Sequence, residues 1–288
     1  MKFCRFIFYT NPKNMITQSN FSLSGADGKL IIGDITFDKK NPNTPIVLFV
    51  HGFKGFKDWG AHNLVARYFA GNGYRYVKFN LSHSGVPVDA PTDVNDLEAF
   101  ASNTVSKELF DINAVLDFIE KAYGKDTKVN LIGHSRGGGL SIIEAANDLR
   151  INKLVTWSAI AAFDSLWKKE QEAEWKKTGK IFVTNARTKE QMPLNVTLLE
   201  DLEENAATLN IIDAAKRINI PWLVIHGDDD VNVPFETAQT LAEANPKSRL
   251  VKIEGANHVY GATQPYTSET LPPQLFKVCE KVLTFLGE

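Results

Sequence analysis

Val129-Asn130-Leu131-Ile132-Gly133-His134-Ser135-Arg136-Gly137-Gly138-Gly139-Leu140 is the most informative segment of the chain. A short apolar run of strand character enters Gly133, and Leu140, Ile143 and Ala146 then recur at helical spacing. Gly-x-Ser-x-Gly between a strand and a helix describes a sharp turn that presents a serine at its apex. Small neighbours are needed where the chain folds back on itself. The helix that follows aims its N-terminus at the serine, which favours a developing negative charge there. With 19 glycines in 288 residues, about 0.06 such matches are expected by chance. The alternative reading is a glycine-rich turn with a capping serine, so the rest of the chain must arbitrate.

Outward from this turn, apolar runs alternate with amphipathic stretches, the pattern of an α/β fold with a mostly parallel central sheet flanked by helices. Ile16–Leu23 and Lys29–Phe37 flank Gly25-Ala26-Asp27-Gly28 and read as an opening hairpin. Pro45–Val50 is a continuous apolar run, as expected of a strand buried on both faces. Further strands are read at Arg75–Phe79, Lys153–Trp157, Pro221–Ile225 and Ser248–Ile253. Leu64, Val65, Tyr68 and Phe69 mark one helix, with Trp59 read as its opening. Val105, Leu109, Ile112, Leu116 and Ile119 mark a longer one, ended by Gly124. The last helix carries Leu275, Val278, Cys279, Val282, Phe285 and Leu286, so Cys279 reads as a small core residue.

Residues 161–210 interrupt the alternation. Two polar, helix-prone segments (Asp164–Lys177 and Val196–Leu209) flank a β-prone piece, Ile181–Thr184, and a loop with Pro193. The segment reads as a small cap inserted into one domain spanning 15–288, since a linker would be richer in Gly, Ser or Pro.

A serine hydroxyl is a weak nucleophile and needs a base, itself oriented by a carboxylate. Both follow in the chain. Pro221–Ile225 runs into His226-Gly227-Asp228-Asp229-Asp230-Val231-Asn232-Val233-Pro234, an acidic loop after a buried strand. Ile253-Glu254-Gly255-Ala256-Asn257-His258 is a later strand end with a histidine in its loop. The order Ser, Asp, His is one of the known chain orders of such triads.

With these pieces in place, the chain resembles the α/β-hydrolase superfamily, and within it the dienelactone-hydrolase-like and serine-aminopeptidase-like esterase group. The resemblance rests on the Gly-His-Ser-Arg-Gly-Gly elbow, the His51-Gly52-Phe53 turn and the Gly-x-x-Asp-x-x-Val-Pro loop. It implies an α/β-hydrolase fold and a catalytic set of Ser135, Asp230 and His258, with Asp229 the alternative acid and Asp228 a turn residue. It also implies an oxyanion hole from the backbone N–H groups of Phe53 and Arg136. Phe53, His134, Trp167 and Phe182 are the candidates for contact with substrate. His51 reads as a structural histidine behind its loop. Relatives often carry Asp-x-Arg-Gly-x-Gly where this chain has Asn80-Leu81-Ser82-His83-Ser84-Gly85, so no role is carried over to that segment, and His83 reads as a loop histidine. Arg136 has two readings, a contact for an acidic substrate group or a salt bridge to the scaffold. Lys54, Lys57 and Asp58 read as a surface loop near the pocket.

The implied activity is hydrolysis of small-molecule carboxylic esters through an acyl-enzyme. An aminopeptidase or amidase, an acyltransferase, and a non-catalytic small-molecule receptor are the alternatives. No cofactor is expected and no metal site: HExxH, Walker and GxGxxG patterns are absent, and Asp228-Asp229-Asp230 lacks the alternating ligands of a calcium loop. A formal charge of −2 argues against a nucleic-acid partner, and no apolar stretch approaches membrane-span length. Two cysteines, Cys4 and Cys279, build no disulfide framework, which points to a cytoplasmic setting. The apolar core of the first residues, Phe6–Tyr9, is too short for a secretory signal. Residues 1–14 read as an extension outside the native fold, with Met15 a candidate start.

Overall fold

The computed structural model describes residues 15–41 and 44–288, so the expectations about residues 1–14, Cys4 included, lie outside the described residues. Strands β1 (Ile16–Ser24) and β2 (Leu30–Asp38) form the antiparallel opening, joined by a single 3-10 turn at Ala26–Gly28. Strand β3 (Ile46–Val50) is followed by α1 (His62–Gly71) and β4 (Arg75–Asn80). Next come α2 (Leu97–Ala101), α3 (Val105–Tyr123), β5 (Val129–His134), α4 (Arg136–Asn147) and β6 (Ile151–Trp157). The side chains of Asp96 and Thr104 cap α2 and α3 by accepting from the Ala99 and Lys107 amides.

After β6 come two 3-10 turns, α5 (Glu172–Thr178), the hairpin strands β7 (Lys180–Thr184) and β8 (Gln191–Asn195), and α6 (Thr197–Glu204). The chain closes with α7 (Ile211–Arg217), β9 (Trp222–Gly227), α8 (Phe235–Ala244), β10 (Arg249–Ile253) and α9 (Pro273–Gly287). The eight-stranded sheet runs β1-β2-β4-β3-β5-β6-β9-β10 and is parallel from β4 to β10. This is the expected α/β architecture.

The pleat splits each central strand between two cores. Ile46, Leu48 and Val50 face a layer built on α3, α4 and α7, while Val47 and Phe49 face α1 and α9. The same alternation divides Trp222 and Val224 from Leu223 and Ile225. Cys279 is buried in the second layer, and burial pushes its thiol pKa up. Helix α5 and the β7–β8 hairpin pack on the first layer through Trp175 on the helix and Ile181, Met192 and Leu194 on the strands, and the Trp175 indole donates to the Leu194 carbonyl at 2.9 Å. Among the described residues no helix is long and apolar enough to cross a membrane.

Three local expectations need correction. The Pro193 segment is a strand, not a loop: it pairs with Phe182 in a two-stranded ribbon, where an edge proline leaves no central ladder bond unmade. Helix α1 begins at His62, with Trp59 in the preceding turn. Lys57 and Asp58 are not a surface loop. Lys57 is buried and bonds Asp34 at 2.7 Å and Asp58 at 2.5 Å, while Lys78 bonds both of these carboxylates from within the sheet. Two lysines against two carboxylates neutralise one another, which is the condition for burying charges of this kind.

Candidate active site

Four loops at the carboxyl edge of the parallel strands converge. They follow β3, β5, β9 and β10, and they carry Gly52, Ser135, Asp230 and His258 in turn. Carboxyl strand edges are where open α/β sheets bind ligands.

Ser135 sits at the apex between β5 and α4 with φ 56° and ψ −120°, a backbone region that a non-glycine residue occupies only under strain. Close packing of the turn explains its glycines. A Cβ on Gly137 would lie 2.4 Å from the carbonyl oxygens of Val50 and His51, and one on Gly52 would lie 2.9 Å from the Ser135 Cβ. The His51–Phe53 turn is thereby held against the elbow. The Arg136 amide, first in α4, has no partner within its own helix and faces the same end of the sheet as Ser135.

His258 donates or accepts through Nδ1 with Asp230 Oδ2 at 2.7 Å, and the acceptor-only carboxylate fixes the sense: Nδ1–H donates. The Asp230 side chain is wholly buried. Its Oδ1 accepts from the amides of Asn232 and Val233, both at 2.9 Å, and His226 Nε2 stands 3.3 Å from Oδ2. Burial alone would raise the Asp230 pKa, but the hydrogen bonds from His226, His258 and the Val233 amide outweigh it and hold the carboxyl well below the usual range. Asp229 is exposed, and Asp228 accepts from the Gly255 amide at 2.7 Å. Of the three aspartates, Asp230 is therefore the partner of His258.

His51, His134 and His83 are otherwise engaged. His51 is buried; its Nε2 accepts from the Leu81 amide and its Nδ1 bonds the Gly52 carbonyl, and burial lowers its pKa to about 4. His134 donates from Nε2 to the His258 carbonyl at 2.9 Å, and burial, with His258 alongside, lowers its pKa to about 3. His83 is buried against Ser82 and Asp27 rather than exposed on a loop.

Ser135 and His258 open onto one cavity of about 340 Å³. Phe53 and His134 also line it; Trp167 and Phe182 do not. Trp167 packs edge-on against Trp175 at 5.1 Å and faces a separate cleft beside α6 and α7. Phe182 is on the solvent side of the hairpin. In their place the 160–166 segment contributes Ile160, Ser165 and Leu166, and the hairpin tip contributes Asn185, Ala186 and Arg187. Arg136 is buried in a 2.7 Å ion pair with Glu108, the scaffold alternative of its two readings. Lys54 lines the cavity, and its Nζ donates to the Thr184 carbonyl on β7 at 2.9 Å.

The sequence profile of the Alpha/beta hydrolase family matches residues 47–267, which takes in every loop of this site. The chain belongs to that family. This alpha/beta hydrolase superposes on Est1E from Butyrivibrio proteoclasticus with a TM-score of 0.66 and 20% identity, over 93% of this chain and 97% of that one. A dienelactone hydrolase from Anabaena variabilis aligns with a TM-score of 0.63 and 17% identity, over 95% and 98% of the two chains. At such identities these likenesses speak for the fold alone. A 58-residue stretch is 40% identical to the protein named "Putative carbamate hydrolase RutD" from Pseudomonas savastanoi pv. phaseolicola; it spans 20% of this chain and 22% of that protein's length.

Proposed function

We propose that this alpha/beta hydrolase is a serine hydrolase that cleaves carboxylic esters of small molecules through an acyl-enzyme. The observation that carries the reading is the 2.7 Å bond from His258 to buried Asp230 in the cavity that Ser135 lines. Ser135 Oγ attacks the ester carbonyl carbon while its proton passes to His258 Nε2. The carbonyl π pair moves onto oxygen, where the Phe53 and Arg136 amides donate to it. Collapse re-forms the carbonyl and breaks the bond to the alcohol oxygen, which takes the proton from Nε2. Water repeats the sequence on the acyl-enzyme and releases the carboxylic acid, returning the proton to Ser135. Asp230 holds the imidazole in the required tautomer and stabilises its cationic form.

The small cavity suits a small-molecule substrate. A cytoplasmic setting accords with two cysteines in the sequence that build no disulfide framework. Turnover of 4-nitrophenyl acetate by wild type and Ser135→Ala tests the assignment: the variant is expected to lose activity by at least about a thousandfold. Wild-type-like turnover in the variant refutes it.

A further inference from the structure

The cavity wall carries two cations and no carboxylate. Of its lining residues only Lys54 and Arg187 bear a fixed charge; Asp230 is screened behind His258. Lys54 sits one residue beyond the proposed Phe53 donor with a left-handed backbone, φ 60°, unusual for a lysine. Its Nζ uses one donor on the Thr184 carbonyl, and its ammonium lies 5.1 Å from the centre of the Phe53 ring. Among the described residues no carboxylate lies within ion-pairing distance of it. Burial lowers its pKa, so the charge is held in a partly dry site without an anionic partner. Arg187 differs: its Nη2 bonds Asp93 at 2.5 Å, which offsets its charge. Together the three side chains leave about one positive charge facing the cavity, a match for a monoanion rather than a phosphate dianion.

We propose that this hydrolase selects esters carrying a carboxylate elsewhere on the molecule, and that Lys54, assisted by the free donors of Arg187, is the residue that recognises it. The proposal rests on the ester-hydrolase reading above and adds the substrate class. Lys54 ties the turn after β3 to the cap hairpin through Thr184, so the same side chain that meets the anion also fixes the height of the hairpin tip over Ser135.

Matched esters test this. Mono-4-nitrophenyl glutarate and its neutral methyl ester place the charge on the acyl side; 3-acetoxybenzoate and its methyl ester place it on the leaving side. The readout is the ratio of kcat/KM, charged over neutral, within each pair, so any general loss of activity cancels. In wild type at least one pair should give a ratio of about ten to a hundred, the size of a charge-assisted hydrogen bond. Lys54→Met should bring that ratio to about one, Lys54→Arg should retain most of it, and Arg187→Met should lower it in part. Ratios near one for both pairs in wild type overturn the proposal, as does a high ratio that survives Lys54→Met. Ser135→Ala is run alongside: persistence of neutral-ester hydrolysis there removes the ester-hydrolase reading itself, whereas Ser135-dependent hydrolysis without charge preference removes only the selection of anions.

Discussion

His134 and His258 lie ring against ring, 4.8 Å between centroids, and the Nε2–H of His134 is bonded to the backbone carbonyl of His258 at 2.9 Å. The residue that precedes the elbow serine thus anchors the loop after β10, two segments 124 positions apart in the chain. Because burial lowers the His134 pKa to about 3, its ring stays neutral at ordinary pH and does not compete as a base. His134→Ala should lower kcat about tenfold and raise KM as well, since it loosens the proposed base and also removes part of the cavity wall. His134→Gln, which keeps an N–H donor, should recover part of the loss. Steady-state kinetics on one ester checks both.

The aspartate loop makes a second contrast. Asp230→Asn leaves the shape intact but removes the acceptor that fixes the His258 tautomer, and should lower kcat by about ten-thousandfold. Asp229→Asn, at an exposed neighbour, should stay within about twofold of wild type. Reversal of these two effects would move the orienting acid.

At Gly137 the prediction concerns folding. A methyl group there would meet the Val50 and His51 carbonyl oxygens at 2.4 Å, backbone atoms that cannot swing aside. Gly137→Ala should cost about 1–3 kcal/mol in stability, read by urea unfolding. An unchanged midpoint would contradict the packing described for the elbow.

Glu144 on α4 supplies a pH dependence. Burial, with Asp148 nearby, raises its pKa to about 8, against a bond from Asn113 Nδ2 at 2.9 Å. Above pH 4.5 the unfolded chain loses this proton while the folded one keeps it until about pH 8. The folded state therefore binds more protons in that window, and stability falls as pH rises, by at most about 1.4 kcal/mol per pH unit from this group. Glu144→Gln should remove this loss, so its unfolding free energy relative to wild type should climb between pH 5 and pH 8. A difference independent of pH would contradict it.

The fold and the placing of the Ser135, Asp230 and His258 loops at one sheet edge were legible because their signals are local. A Gly-x-Ser-x-Gly turn, an acidic loop and a late histidine loop each follow a buried strand, and parallel strands bring their carboxyl ends together regardless of side-chain detail. Resemblance singled out Asp230 over Asp229; the structure adds the reason, since only Asp230 turns inward to accept two amides. The cavity walls were legible only in part, at Phe53 and His134. Aromatic character suggested Trp167 and Phe182, but Trp167 is spent on packing with Trp175 and Phe182 falls on the outward face of β7. Asn185 and Arg187 reach the site only because β7 and β8 pair as a hairpin whose tip leans over the sheet, a tertiary fact with no sequence period. Lys57 and Asp58 looked solvated because charge normally is, and their buried counter-ions, Asp34 and Lys78, come from distant strands. Arg136 is committed to Glu108 on α3 for the same reason.

Covalent labelling with a fluorophosphonate, followed by peptide mapping of the modified residue, bears most directly on the chemistry. Stoichiometric modification of Ser135 alone, slowed by at least about a hundredfold in His258→Ala, is the expected result. Modification of a different residue, or an unchanged labelling rate without the His258 imidazole, would contradict the account.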